Sequence, residues 1–156
     1  MESLLDVAKK MIMAARTAPK ARGRSNLQMA IVTDGDIQKL ASRMREIGEK
    51  EDNQIFIRDA HNVLKSADVV VLFGTSIKSM GLSQCGYCGF RDCAAKDAHP
   101  LIPCAFNTGD LGIAIGSAVA VAMDNSVDNR IMWSAGVAAR ELKLLGEDVQ
   151  IVYAVP

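Results

Sequence analysis

The sequence predicts an α/β fold, a single domain spanning 1–156 in which a small sheet is packed by helices around one irregular cysteine-rich loop. Three observations predict it. Helix-like and strand-like segments alternate along the chain. Val69-Val70-Val71-Leu72-Phe73 is a continuous apolar run, as expected of a strand covered on both faces. At 156 residues the chain has the length of one domain, and it can bury roughly two-thirds of its extended surface without disulfide staples.

The elements follow in order. Leu4, Val7, Ala8, Met11, Ile12 and Ala15 fall at helical spacing, with Lys9 and Lys10 opposite and Ser3 as N-cap. Pro19 and Gly23 break the chain around a basic loop, Arg16 to Arg24. Residues 28–33 read as a first strand, and Asp34-Gly35-Asp36 as a turn and cap. Ile37, Leu40, Ala41, Met44 and Ile47 line a second helix, which Gly48 is expected to stop. A short helix covers 55–66 with Ile57, Ala60 and Leu64 inward, and the strand at Val69 follows. Thr108 or Asp110 opens an apolar helix through Met123, whose Gly112, Gly116 and Ala120 form a smooth stripe. Such a stripe admits a close backbone, within the fold or across a dimer. Asp128 is expected to cap a fourth helix lined by Ile131, Ala135, Ala138, Leu142 and Leu145 and ended by Gly146. Residues 149–155 form a last strand. So few strands suggest a core completed by dimerisation.

Between the buried strand and the apolar helix lies the inserted loop, 75–107, which shows little periodicity. A long aperiodic loop in a compact domain is unusual unless it is functional or held by something. All four cysteines of the chain fall there, within the 20 residues from Cys85 to Cys104. Their spacing is Cys85-x2-Cys88-x4-Cys93-x10-Cys104. Four thiolates within reach of one another hold a tetrahedral metal or an iron–sulfur cluster. Gly86 and Gly89 flank Cys88 and permit the turns by which backbone N–H groups face sulfur. Four thiolates on a dicationic 4Fe–4S core leave a net charge of −2, which Arg91, Lys96 and the N-terminus of the following helix offset. A 2Fe–2S cluster takes four ligands as well. Zinc, which favours two paired Cys-x2-Cys knuckles, and redox-active or inert thiols are the alternatives. His99 reads as a solvated loop residue beside the ligands and His61 as a half-buried surface residue.

Lys+Arg and Asp+Glu are equal at 18 each, and aromatic residues make up 4%. That balance argues against a polybasic nucleic-acid coat and against stacking platforms for single strands, so no nucleic-acid partner is expected. The uncharged apolar run from Leu111 to Met123 spans 13 residues, too short to cross a bilayer, and the early acids at the N-terminus do not read as a secretory signal. A cytoplasmic protein with no membrane partner is the expectation, and clustered cysteines in a reducing compartment are more often metal or redox groups than disulfides. Charge is segregated by region. Residues 1–24 hold six cations against two acids, and residues 97–129 hold four acids and no Lys or Arg. Thr17, Lys20, Arg22, Arg24 and Ser25 form a candidate phosphate cradle, with Asn26 and Gln28 placed to read a planar ring; the alternative is a solvated loop. Asp128-Asn129-Arg130 is either a ligand contact or simply a capped helix start.

Residues 14–23, the cysteine loop, Asp110-Leu111-Gly112-Ile113-Ala114 and Val127-Asp128-Asn129-Arg130 together resemble the ferredoxin domain-containing protein family of bacteria and archaea, across nearly the whole chain. That resemblance implies an iron–sulfur cluster. More distantly, Ala18-Pro19 through Ser25-Asn26-Leu27-Gln28 and the 110–114 segment resemble the FMN-dependent nitroreductase family. This second resemblance implies a nitroreductase-like fold, a homodimer with FMN at its interface, and Arg16, Asn26 and Gln28 as the positions that would contact flavin. The expectation is an iron–sulfur redox protein, with Cys85, Cys88, Cys93 and Cys104 as metal ligands, that transfers electrons to a redox partner or bound flavin. An FMN-dependent oxidoreductase and a zinc-stabilised, non-enzymatic interaction module are its rivals. No acid–base pair or nucleophile constellation is visible from which to assign catalytic residues.

Overall fold

The computed structural model describes residues 1–156. The elements run α1 (Glu2–Thr17), a single 3-10 turn (Ala21–Gly23), β1 (Leu27–Thr33), α2 (Asp34–Lys50), α3 (Gln54–Ser66), β2 (Val69–Thr75), α4 (Cys93–Asp97), α5 (Ala105–Asp124), α6 (Trp133–Glu141) and β3 (Ile151–Val155). The expected order of helices and strands is present, with α4 added inside the cysteine loop.

The sheet has three strands in the order β1-β2-β3, and both pairings are antiparallel. Connectivity explains the direction. One helix between two strands returns the chain to its starting end and makes parallel neighbours. Here two helices cover the sheet between successive strands, α2 with α3 and, after the short α4, α5 with α6, so the next strand starts where the last one ended. Leu27 pairs with Thr75 and Thr33 with Val69 on one side of β2; Val71 pairs with Val155 and Thr75 with Ile151 on the other.

Alternation along β2 builds two cores. Val70 and Leu72 point into a layer with Leu40, Met44, Phe56, Val63 and Ala135 from α2, α3 and α6. Val71 and Phe73 point the other way, into a layer with Met11, Leu111, Ala114 and Ala118 from α1 and α5. The central strand is covered on both faces, as its apolar run implied. By length and composition α5 is long and apolar enough to cross a membrane, because the helix has 20 residues rather than the 13 of its apolar run. It instead buries Leu111, Ala114, Ile115, Ala118 and Ala122 in the second layer.

Several local expectations are corrected. Ser3 caps nothing, since α1 begins at Glu2. Gly48 does not stop α2, which runs on to Lys50. A Cβ at Gly48 would lie 2.7 Å from Ile57 Cγ1, so this glycine serves the close approach of α3. The inner face of α3 is Phe56, Asp59, Ala60 and Val63, while Leu64 is 44% exposed. Asp128 does not cap α6, whose N-cap is Met132, a residue bridged to Ala154 beside β3. Ile131 and Leu142 stay largely exposed. The apolar helix opens at Ala105, three residues before Thr108, so the irregular segment runs from 76 to 104.

The tightest contact in the fold lies where α6 crosses β3. A Cβ at Gly136 would fall inside the contact radius of the Val152 carbonyl oxygen and 2.7 Å from its carbonyl carbon. Backbone cannot yield as a flexible side chain can. Gly136→Ala is therefore expected to destabilise the fold by about 3 kcal/mol, lowering the melting temperature by about 6–12 °C in a thermal denaturation scan. An unchanged melting temperature would show that α6 is not seated this closely.

Candidate metal centre

The irregular segment leaves β2 at Thr75 and enters α5 at Ala105. Its two ends meet at a buried side chain. Asn107, in the first turn of α5, donates from Nδ2 to Ser76 O at 3.1 Å and to Lys78 O at 2.6 Å. Its Oδ1 accepts from Asn26 Nδ2 at 3.1 Å. Further along, Ser79 Oγ donates to Asp97 Oδ1 at 2.6 Å, Lys96 Nζ donates to Ile77 O at 2.7 Å, and the Arg22 guanidinium donates to Met80 O and Gly81 O. The backbone of 76–81 is thus stapled from α5, α4 and the basic loop.

On this frame the four cysteines line one cavity together with Met80, Leu82, Phe90 and Ala105. Three different local structures present them. Cys85 and Cys88 lie in a turn whose glycines adopt left-handed backbone angles, Gly86 at φ 64° and Gly89 at φ 84°, and Gly89 N–H donates to Gly86 O at 2.9 Å. Cys93 is the first residue of α4, behind an Asp92 cap whose Oδ1 accepts from Ala95 N–H at 2.8 Å. That N–H, with Arg91 beside it, holds the Asp92 carboxyl below the usual carboxylate range against an opposing desolvation effect. Cys104 is buried and is the N-cap of α5, its carbonyl accepting from Asn107 and Thr108 N–H groups. The positive end of a 20-residue helix favours negative charge at that position.

The candidate donors on the cavity wall are the four thiols; Asp92 and Ser79 also line it, but their side-chain oxygens are engaged with Ala95, Arg91 and Asp97. His99 is exposed and stacks on Phe90 with centroids 5.1 Å apart, and His61 is exposed on α3. No three His, Cys, Asp or Glu side chains converge tightly enough to hold a single metal ion. A lone zinc bound by thiolates at 2.3 Å would draw its sulfurs to about 3.8 Å from one another. A cluster interposes its own iron and sulfide and holds the thiolates wider apart. The four cysteines thus line one small cavity, and no tight grouping of three donors for a single ion is present.

The flavin candidates are less united. Arg16 is exposed at the end of α1, Gln28 is exposed on β1, and the half-buried Asn26 is committed to Asn107. The phosphate cradle is largely dismantled, because two of its three cations, Lys20 and Arg22, spend donors on backbone carbonyls, while Arg24 stays exposed. Lys20 Nζ donates to the carbonyls of Ala15, Arg16 and Ala18 at 2.7–3.0 Å, closing the end of α1. Burial pushes its ammonium pKa down, and the nearby Asp110 charge opposes that. Thr17 Oγ1 bonds back to Met13 and Ala14 carbonyls, and Arg22 serves the cysteine loop. Both Asp110 oxygens accept from Ala21 N–H at 3.1 Å. Asp110 therefore holds the basic loop as Asn107 holds the cysteine loop. Composition pointed to neither role, although two polar residues in the first turns of an otherwise apolar helix were the available signal. Asp128 and Asn129 line a separate cavity of about 310 Å³ with Leu4, Val7, Met11 and Pro156, which contains no cysteine. Beside the cysteine loop runs an open groove lined by Pro19, Lys20, Tyr87, Phe106, Gly109 and Ile113. Tyr87, 76% exposed and flanked by Gly86 and Cys88, stacks on Phe106 with centroids 5.5 Å apart and planes 9° apart.

Comparison with known proteins bears on the family and the fold. Residues 102–156 match a family model described as "Uncharacterized protein containing a ferredoxin domain (DUF2148)"; the matched region includes Cys104. An uncharacterized protein of Archaeoglobus fulgidus is 37% identical over 150 residues, which cover 92% of this chain and 79% of that protein. Among solved structures, an FMN-dependent nitroreductase of Mycobacterium smegmatis in complex with NADPH superposes with a TM-score of 0.67 at 9% identity, over 97% of this chain and 76% of that one. A nitroreductase with bound FMN from Desulfitobacterium hafniense gives 0.64 at 16% identity, over 96% and 74%. A BluB-like flavoprotein of Clostridium difficile gives 0.59 at 18%, over 96% and 78%. At such identities these likenesses concern the fold, which is nitroreductase-like. The chain belongs to the family of ferredoxin-domain proteins that this model describes, and its cysteine loop sits on a nitroreductase-like α/β frame.

Proposed function

We propose that the chain is an iron–sulfur redox protein in which Cys85, Cys88, Cys93 and Cys104 ligate a 4Fe–4S cluster. The observation that carries this reading is the convergence of four cysteines, from a turn, a short helix and the cap of α5, on one cavity. The family's ferredoxin description supports a redox role. Bound there, the cluster supplies one-electron transfer. The protein's part is to hold four thiolates in place, to shelter them with Met80, Leu82 and Phe90, and to leave Tyr87 and its groove facing outward toward an electron partner. The working compartment would be the reducing cytoplasm, where such thiols are not drawn into disulfides.

Protein purified anaerobically should contain iron and acid-labile sulfide in about equal amounts and show broad visible absorption that bleaches on reduction. Cys88→Ser should remove most of that absorption while the apo-protein keeps its melting temperature. A colourless protein with stoichiometric zinc, whose stability collapses in the Cys88→Ser variant, would overturn the reading in favour of a structural zinc module.

A second reading adds flavin, and the FMN-bound solved structures of like fold favour it. In it Arg16, Asn26 and Gln28 contact FMN and the cluster relays electrons to it. FMN added to the loaded protein should lose fluorescence, and Arg16→Ala should weaken binding about tenfold, the size of one charge-assisted hydrogen bond. Unquenched FMN at millimolar protein would remove flavin from the scheme.

Both readings include a homodimer formed through the outer face of α5. Gly112, Gly116 and Ala120 are exposed there, with Ile113 48% and Met123 71% exposed beside them. The small-residue stripe thus finds no partner within the fold. A Cβ at Gly116 meets nothing within 4 Å, so a large side chain there leaves the protomer intact. Sedimentation equilibrium should give a dimer for the native chain, and Gly116→Arg should weaken it about a hundredfold, or about 2.7 kcal/mol. A native chain that sediments as a monomer would contradict this arrangement.

A further inference from the structure

Besides Cys104, three ionisable side chains are buried in this fold: Asp59, Asp110 and Lys96. Two are well compensated. Asp59 accepts from Ser134 Oγ at 2.5 Å and twice from the Arg58 guanidinium at 2.8 and 3.0 Å. Asp110 accepts from Ala21 N–H through both oxygens and lies near Lys20. Lys96 is different. It is 2% exposed, and its ammonium has three protons to place. It makes one hydrogen bond, to Ile77 O, and one ion pair at 3.6 Å with Asp97, whose carboxylate is exposed and already accepts from Ser79. A cation withdrawn from water with so little around it is costly unless a further negative charge faces it.

Lys96 is not itself on the wall of the cysteine cavity, but the cavity lies beside its helix. Lys96 lies three residues after Cys93 on α4, a spacing that puts both on one helix face. Its acceptor Ile77 belongs to the segment that continues into Met80 and Leu82, both of which line the cavity. Arg91, the other cation of the loop, is 88% exposed and paired with Asp92, so it cannot serve in the same way. We infer that Lys96 is the built-in counter-ion of the cluster, a positioning residue that sets the reduction potential of the centre through its fixed buried charge. This rests on the iron–sulfur reading above. Four thiolates on the oxidised core total −2, and one electron from an external reductant takes the total to −3 with no bond made or broken. A nearby fixed cation stabilises the −3 state more than the −2 state and so raises the potential.

The test is an anaerobic, dye-mediated redox titration of the loaded protein with dithionite as reductant, on the native chain and on Lys96→Gln, Lys96→Arg and Arg91→Met. Gln keeps a donor for Ile77 O and loses the charge. Lys96→Gln should shift the reduction equilibrium about tenfold toward the oxidised form, about 59 mV more negative for a one-electron couple. Lys96→Arg should stay near the native value, and Arg91→Met should shift it no more than about twofold, since an exposed charge is screened. The chelator-driven rate of iron release should rise in Lys96→Gln and not in Lys96→Arg. A Lys96→Gln protein with the native potential overturns the inference. If Lys96→Gln takes up no cluster, Lys96→Met and the melting temperature of the apo-protein decide. A Lys96→Met apo-protein at least as stable as the native one supports a charge waiting for its counter-ion, whereas a lower melting temperature makes Lys96 a mere staple of the loop and overturns the inference. Native protein without iron and sulfide is a different result, one that overturns the cluster reading itself.

Discussion

Asn107 is buried at the head of α5, and its side-chain hydrogen bonds all leave the helix. Two go to carbonyls just beyond β2, where the chain departs from the sheet. The third comes from Asn26, just before β1. One amide therefore fixes the start of the cysteine loop, the entry to the edge strand and the first turn of the central helix against one another. Three residues later Asp110 does the same for the basic loop. Buried polar groups that are fully satisfied specify one arrangement, because any slip leaves them unpaired at a cost of about 1–3 kcal/mol each. The cysteine cavity inherits that precision: Cys104 is the cap of the very helix whose first turn is clamped.

A second constraint is how closely the layers pack. Aromatic residues are only 4% of the chain, and the inner faces of α5 and α6 each carry three alanines, with Gly136 at the crossing of α6 over β3. Small side chains bury little area apiece, so cohesion must come from close approach and from two cores that share β2. Close approach also holds helix termini still. The start of α5 and the strand end near Thr75 are where the cysteine loop is clamped, and a loosely packed frame would let it drift.

The sequence disclosed what periodicity and composition encode. The order of elements, the doubly covered β2, the apolar central helix and the grouping of the cysteines were all legible, because each rests on a run of residues rather than on one. Single-residue signals were less reliable. Gly48 has the same appearance in sequence whether it ends a helix or admits a neighbouring one, and only Ile57 packed against it decides. Asp128 looks like a cap, yet α6 starts five residues later, because Met132 is drawn into a bridge with Ala154. On α3, Leu64 and Ile57 are the more apolar choices. The face actually turned inward carries Asp59, whose charge is met by its neighbour Arg58 and by Ser134, 75 residues away and outside the reach of any local pattern. The cations of the basic loop misled for a related reason: a sequence shows that Lys20 and Arg22 are charged, not that carbonyls of α1 and of residues 80 and 81 take up their donors.

That inward turning also resolves the uneven charge of a neutral chain. The basic segment at 1–24 and the acidic one at 97–129 are brought together by α1 packing on α5, with Lys20 near Asp110 and Lys10 donating to Asn125. Much of the regional charge is thus spent inside the protomer, on holding loops. What remains for a partner is narrower than the composition implied: Arg16 and Arg24 beside α1, and an apolar, aromatic surface at Tyr87 and Phe106. On the proposed reading, a centre sheltered behind such a surface would favour a partner that docks through flat apolar contact, because Tyr87 and Phe106 present aromatic faces without charge of their own.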